Sequence, residues 1–413
     1  MRPSITKPAG GPKPAAVEPA DGAQSGRSGL RVPRLLGRYW SGRGGPRLIV
    51  TAGLHGNEPA GVLAVQKVLR KLQERRPAFR GELIALAGNL LALERGVRYV
   101  DRDLNRRWLG PYLETLKSER APAPFEDAQQ RELAGIFHEL QARTERPLAF
   151  VDLHSTSGAG APFCVMADVL RNRPLAEALG IPVILGLEET IDGTMLGWLI
   201  DQGHIGIAVE GGQHQSGATL AHHEAAIWIA LVAVGCLGPD QIERLDAHRR
   251  VLAQAGHGLP QFVEVRYRHV IAPEDGFRML PGFSNFQPVR RGQPLAQDRR
   301  GTLRAPEGGR ILMPLYQVQG DDGFFIVRRV RRFWLRLSVL LRRLRIDRWV
   351  AWLPGVRHHP ELADHFLVDP KIARFFNVEI FHLLGYRRER PSAGHLVFSR
   401  RRPGFLRLGT DAK

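Results

Sequence analysis

Cysteine is nearly absent from this chain: Cys164 and Cys236 are the only two in 413 residues. Two thiols build no disulfide framework, so the sequence excludes the small disulfide-stapled class and points to no oxidising compartment. Both lie in apolar surroundings and read as buried structural thiols. Long hydrophobic runs are missing as well. No apolar stretch reaches the ~18–20 residues of a membrane span, and the N-terminus has no signal-peptide core. A soluble cytoplasmic protein is the expectation. Acidic residues are in deficit, 41 Asp and Glu against 59 Lys and Arg, which sets a net charge of +18. Such a charge admits nucleic acid, an acidic membrane surface or anionic substrates as partners. No nucleic-acid-binding motif accompanies it, and the arginines are spread widely, as a genome rich in G and C also produces. No nucleic-acid partner is expected.

What is present is an ordinary globular composition, 43% hydrophobic, on a chain long enough for a sizeable core and more than one domain. Residues 1–30 are rich in Pro, Gly, Ala and Ser and read as a disordered tail. Over residues 31–256, short apolar runs alternate with amphipathic stretches. Arg47 to Gly53, Glu82 to Gly88, Pro147 to His154 and Ile205 to Glu210 read as strands. Glu58 to Arg75, Phe125 to Arg143 and Ala218 to Gly235 read as helices. Asn89 to Leu109 reads as a long charged loop. The alternation predicts an α/β fold, a mostly parallel or mixed sheet flanked by helices. Residues 257–330 carry short alternating runs between Gly- and Asp-rich turns, which predict a small all-β domain. Residues 331–413 form a basic, partly helical extension. Within it, 331–353 is an amphipathic arginine-rich helix of the kind that makes peripheral contact with a membrane or holds a partner. The preferred reading is a helix packed on this protein's own domains with solvated arginines.

One stretch organises the rest: Thr51-Ala-Gly-Leu-His55-Gly-Asn-Glu58, between a buried strand and the helix that begins at Pro59. It places His55 and Glu58 at the carboxyl end of a strand, where open α/β sheets bind ligands. Gly53 and Gly56 allow a tight turn. An imidazole and a carboxylate three residues apart can converge on one divalent ion, and zinc takes such ligands at about 2.0–2.2 Å. The plainer reading is a helix N-terminus with Asn57 or Glu58 as cap.

Further pieces agree with the metal reading. Val-Asp152-Leu-His154 brings a second histidine to a strand end, with Asp152 on the same side of the strand. Asp152 either orients a ligand imidazole or serves as a structural ion-pair partner. Glu210, in Val-Glu-Gly-Gly, ends another apolar strand, where a buried carboxylate needs a reason. A general base beside a metal site is one reason and an ion pair inside the site is the other. The run Arg98-Tyr-Val-Asp-Arg-Asp-Leu-Asn105-Arg106 offers Arg98 for an oxyanion, and Asn105 with Arg106 for a carboxylate. By itself it is only a charged loop. Two close ligands and one remote leave an open zinc position, the pattern of a catalytic site.

Together, Gly-Leu-His55-Gly-Asn-Glu58, Arg98-Tyr-Val-Asp-x-Asp-Leu-Asn105-Arg106, Val-Asp152-Leu-His154 and Val-Glu210-Gly-Gly resemble the succinylglutamate desuccinylase/aspartoacylase family, within the zinc carboxypeptidase fold group. The resemblance runs from about residue 35 to about 330 and excludes the tail and the extension. It implies one zinc ion (Zn2+) per chain on His55, Glu58 and His154, with Glu210 as catalytic base and proton shuttle. It implies Arg98 at the scissile carbonyl, and Asn105 and Arg106 on the substrate carboxylate. The activity implied is zinc-dependent hydrolysis of the amide bond of an N-acyl amino acid or related small amide, by Glu-assisted attack of zinc-bound water. Two other readings are carried: a zinc metallocarboxypeptidase acting on peptides, and a basic membrane- or partner-binding protein on a hydrolase scaffold. The sequence departs from the aspartoacylase pattern in two places. Ile200 stands where those enzymes have an arginine ten residues before the catalytic glutamate. Phe324 and Phe325 lie nearest to their β-domain tyrosine. Both departures weaken the expectation of N-acetylaspartate itself and admit a substrate with one carboxylate, or a larger or less acidic acyl amine.

Overall fold

A computed structural model of the chain describes residues 29–118, 125–144, 146–344, 346, 355–359, 365–369, 384–388 and 396–400. The tail expected over 1–30 lies, apart from its last two residues, outside the described residues, as does much of 331–413.

The parallel core comprises β2 (Arg47–Ala52), β3 (Glu82–Ala87), β4 (Ala149–Thr156) and β7 (Ile205–Gln213), with β1 (Leu35–Trp40) antiparallel along the edge of β3. Beyond β7 come β5 (Phe163–Val165), β6 (Val183–Leu185) and β8 (Phe262–Val270). Then follow β14 (Asp322–Arg329), β13 (Gly309–Leu312) and β10 (Pro288–Val289). All belong to one eleven-stranded mixed sheet in the order β1-β3-β2-β4-β7-β5-β6-β8-β14-β13-β10. A three-stranded antiparallel sheet joins β9 (Arg278–Met279), β11 (Pro294–Asp298) and β12 (Gly301–Arg304). A four-stranded one joins β15 (Val356–His358), β16 (His365–Val368), β17 (Tyr386–Arg388) and β18 (Leu396–Arg400). The fold is thus the expected α/β class, with small antiparallel sheets toward the C-terminus. The large sheet runs without a break across position 257, through parallel pairing of β6 with β8.

The central strands are apolar on both faces because helices cover both. Leu48 and Val50 of β2 join Ala149, Val151 and Leu153 of β4 in one buried cluster, while Ile49 joins Leu148 and Phe150 in the other. This period-two division is the pleat of a strand buried on both sides. On the first face lie α1 (Pro59–Arg75), α5 (Arg173–Ala178), α7 (Gly217–Ala233) and α8 (Leu245–Ala255). On the second lie α3 (Gly110–Ser118), α4 (Phe125–Ala142) and α6 (Met195–Asp201). Helix α1 starts at Pro59, whose fixed φ and missing N–H suit the first helical position. Its buried stripe is Val62, Val65, Leu69 and Leu72, while Leu63, one residue round the helix, is 40% exposed.

The stretch expected as one long loop contains a two-turn helix, α2 (Leu90–Arg95). Asn89 caps it by accepting from the Ala92 N–H, and Gly96 closes it in the left-handed conformation. Caps of this kind sustain a helix too short to show periodicity. In the extension, α9 (Arg332–Arg343) rests on the α/β unit: Arg173 donates to the Leu335 carbonyl, and Arg342 donates to Asp168 Oδ2 at 2.6 Å. Phe333, Trp334 and Leu340 on its other side are exposed. No helix among the described residues is long and apolar enough to cross a membrane.

One buried contact predicts a pH dependence. His204, just before β7, accepts the Leu148 N–H at Nδ1 and lies beside Phe150. Burial, helped by nearby Arg171, pushes its imidazole down to about 4. Unfolded, the same ring titrates near 6.5. The unfolded chain therefore binds the extra proton between those values, and stability falls as pH drops through that window. Above it the contribution is fully present. Chemical denaturation at several pH values should show a wild-type loss of stability below pH ~6.5 that is shallower in His204→Gln. Equal slopes in the two proteins would refute the assignment.

Candidate functional site

The chain steps from β2 to β3 on one side and returns to β4 on the other. The carboxyl ends of β2 and β4 therefore flank a topological switch point, the place where open sheets leave a crevice. Gly53, at φ +70°, turns the chain out of β2. A side chain on Gly56 would fall within 2.0 Å of the Ala92 carbonyl, so only glycine lets α2 close down on this turn. The turn delivers His55 and Glu58 into the crevice, and β4 delivers His154.

These three residues are buried, and their donor atoms lie within 4.8 Å of one another. Glu58 Oε1 is 2.8 Å from His55 Nδ1, and Glu58 Oε2 is 3.1 Å from His154 Nδ1. The Ser155 N–H also donates to Glu58 Oε2, at 3.0 Å. Each imidazole is held from behind by a carboxylate. His154 Nε2 is 2.9 Å from Asp152 Oδ2, and His55 Nε2 is 3.2 Å from Asp103 Oδ1. Asp152 is itself fixed by the Thr51 hydroxyl at 2.6 Å, because Thr51 and Asp152 are register partners on β2 and β4. Carboxylates behind imidazoles fix the ring orientation and raise ligand basicity.

Charge is concentrated here. Burial alone would raise the Glu58 carboxyl, yet His55 and His154 hold it well below the ordinary range. Burial likewise opposes ionisation of Asp103, but Arg98 and His55 hold it well below its usual value. Burial disfavours a proton on His154, but Asp152 and Glu58 draw it well above an ordinary histidine. A pocket that favours positive charge between these carboxylates, and presents two imidazole nitrogens and a carboxylate, fits a divalent cation of the zinc type.

Glu210 lies directly opposite His154, because the two are register partners on β4 and β7. Its Oε2 is buried without a hydrogen-bond partner among the described residues. Burial, with Glu58 adding repulsion, pushes its carboxyl up to about 7. Arg98 donates to Asp103 Oδ2 at 2.9 Å and comes within 3.8 Å of Glu58. Asn105 accepts the Met195 N–H through its side-chain oxygen. Arg106 pairs with Asp322 at 3.2 Å. His55, Glu58, Arg98, Asn105, Arg106, Asp152, His154 and Glu210 all line one cavity of ≈ 150 Å³, as do Ile200 and Phe325 but not Phe324. The segment from Met313 to Asp321 crosses its mouth. There the Ser157 hydroxyl donates to the Pro314 carbonyl, Asn57 donates to Gln317, and the Arg98 N–H donates to Gln319.

Two participants escaped the sequence reading. Asp103 stands behind His55, but nothing in the run 98–106 separates it from Asp101, which instead accepts the Phe125 N–H. His214, 2.8 Å from the Ser155 hydroxyl and 3.0 Å from Gln317, carries no local pattern at all.

Fold and site define an α/β protein whose sheet ends form a carboxylate- and imidazole-lined cavity suited to a divalent cation. Residues 44–233 match the family described as Succinylglutamate desuccinylase/Aspartoacylase catalytic domain. The chain resembles that family over this stretch, which carries most of the candidate site. A succinylglutamate desuccinylase of Pseudomonas paraeruginosa is 36% identical over 113 residues, which cover 27% of this chain and 31% of that protein. One from Pseudomonas aeruginosa is 27% identical over 65% of this chain and 80% of its own length. Among solved structures, a succinylglutamate desuccinylase/aspartoacylase from Rhodobacter sphaeroides aligns with TM-score 0.51 at 20% identity, over 70% of this chain and 87% of that one. A succinylglutamate desuccinylase from Vibrio cholerae aligns with TM-score 0.51 at 19% identity, over 70% and 83%. At that identity the structural likeness shows the shared fold.

Proposed function

We propose that this protein is a zinc-dependent hydrolase, with one ion per chain, that cleaves the amide bond of an N-acyl amino acid or a related small amide. The observation that carries the proposal is Glu210: a buried carboxylate oxygen without a partner among the described residues, opposite His154 and beside the His55–Glu58–His154 cluster. His55, Glu58 and His154 would hold the zinc ion, which would supply there a Lewis acid able to acidify water and polarise a carbonyl. Asp152 and Asp103 hold the two imidazoles correctly turned and raise their basicity as ligands. Glu210 takes a proton from the attacking water as the water oxygen bonds to the amide carbon. The carbon–nitrogen bond then breaks as Glu210 returns that proton to the leaving nitrogen, and the products are a carboxylate and an amine. Arg98, anchored on Asp103, supplies positive charge for the carbonyl oxygen as it becomes negative. Asn105 and Arg106 line the substrate end of the cavity.

The segment across the cavity mouth favours a small substrate over a peptide. We assign the hydrolase unit to residues 31–256 and the β unit that supplies this segment to 257–330, with 1–30 and 331–413 as appendages. The test is amine release by the zinc-loaded protein from N-acyl amino acids and N-acyl amines, spanning acetyl to long acyl groups. Turnover that disappears on chelation and returns with zinc is expected. No release from any member with zinc bound stoichiometrically would overturn the proposal.

A further inference from the structure

The arginine that the sequence offers for a substrate carboxylate is already paired within the protein. Arg106 Nη2 lies 3.2 Å from Asp322 Oδ2, and Arg106 Nη1 donates to the Asn105 carbonyl at 3.0 Å. Its Nε is buried and 3.9 Å from Asp321. Both terminal nitrogens therefore already have a partner, and the Asp322 carboxylate offsets the guanidinium charge, which weakens the grip on a second carboxylate. Asp322 is held in turn from its other side, because Arg268 Nε donates to Asp322 Oδ1 at 2.5 Å. Arg268 also donates to the Thr190 carbonyl. The side chain of Asp322 is only 11% exposed. It is the first residue of β14, so its place follows from the pairing of β14 with β8, where it is the register partner of Val270.

The remainder of the cavity leans the same way. Although the chain as a whole carries +18, carboxylates outnumber arginines six to two along the cavity lining. A divalent cation at the His–Glu–His cluster leaves an acidic excess. Val165, Ala167, Leu196, Ile200 and Ala208 give the lining an aliphatic part. A free carboxylate entering here meets a neutralised arginine, an acidic field and aliphatic side chains. Each of these disfavours an anion.

We propose that Asp322 determines specificity by occupying Arg106 in place of a substrate carboxylate. The site then takes N-acylated amines or amino-acid amides, uncharged or cationic on the amine side and apolar on the acyl side, in preference to N-acyl amino acids with a free carboxylate. This rests on the hydrolase reading and narrows its substrate class. Asp322 acts through Arg106 and is a positioning residue.

Binding separates the two readings because it needs no turnover. Calorimetry on the zinc-loaded, full-length Glu210→Gln chain compares N-butanoyl-leucinamide with N-butanoyl-leucine, which differ only in the carboxylate. The amide should bind at least about tenfold more tightly. Adding Asp322→Asn, which keeps the size and removes the charge, should reverse the preference. A further Arg106→Gln change should abolish the reversal, which a merely structural role for Asp322 would not do. The proposal is overturned if the carboxylate probe binds as tightly as the amide, if Asp322→Asn leaves the ratio unchanged, or if neither probe binds. The ratio in the chain with Asp322 intact decides the matter even if the added changes impair folding. An amide preference in binding without amine release by the wild type would sink the hydrolase reading and leave this one standing.

Discussion

Glu210→Gln should leave the protein folded and able to load zinc but lower the proposed amide hydrolysis by about 10³-fold, within the range lost when a positioned general acid–base is removed. Glutamine matches the shape of glutamate, so β7 and its register with β4 are undisturbed. It cannot take a proton from water or return one to a leaving amine. The loss should fall on kcat, with KM little changed, since Oε2 has no hydrogen-bond partner among the described residues. The wild-type rate should also fall as pH drops through the pKa of Glu210, because the proposed base is its carboxylate form. Burial sets that carboxyl at about 7, and a bound cation moves it lower, since opposite charge favours the ionised form. The acid limb should therefore lie below neutrality and be missing from the residual activity of Glu210→Gln. A variant retaining most of the wild-type kcat would remove Glu210 from the mechanism.

The second large effect is on the metal. Glu58→Gln should weaken zinc binding by at least about a hundredfold, measured by competition with a chromophoric chelator, because it removes the one charged donor of three. Glu58 joins the two histidines at 2.8 and 3.1 Å, so its replacement also loosens both rings. Asp152→Asn should act in the same direction but less, by about 10–100-fold, through the orientation of His154. The ordering of the two variants is the discriminating result. If both variants keep wild-type affinity, the cluster is a buried hydrogen-bond network with no role in holding a metal.

Chain order carried much of this site and much of this fold. Apolar runs that end in His55, His154 and Glu210 mark strands whose last residues emerge at one edge of a sheet, because side chains at that edge leave the core together. The glycines around His55 and the proline at 59 mark the turn into α1 for the same local reason. Each signal is complete within a dozen residues, so it survives without knowledge of the rest. What joins distant residues is not written locally. Asp103 meets His55 only because α2, hidden inside an apparently structureless run, folds the 98–106 segment back over the turn at Gly56. Thr51 reaches Asp152, and Glu210 faces His154, because strand registers align them across about a hundred and about fifty residues of chain respectively. Arg106 reads in isolation as a free cation, and a partner 216 residues away changes what it can bind. Likewise the boundary expected near 257 follows a real shift in composition, yet hydrogen bonding between β6 and β8 carries one sheet across it. The sequence by itself marked residues that meet in one cavity and the class of sheet that presents them. The tertiary structure decided which of those charges face each other, since ion pairing and register depend on distance in space.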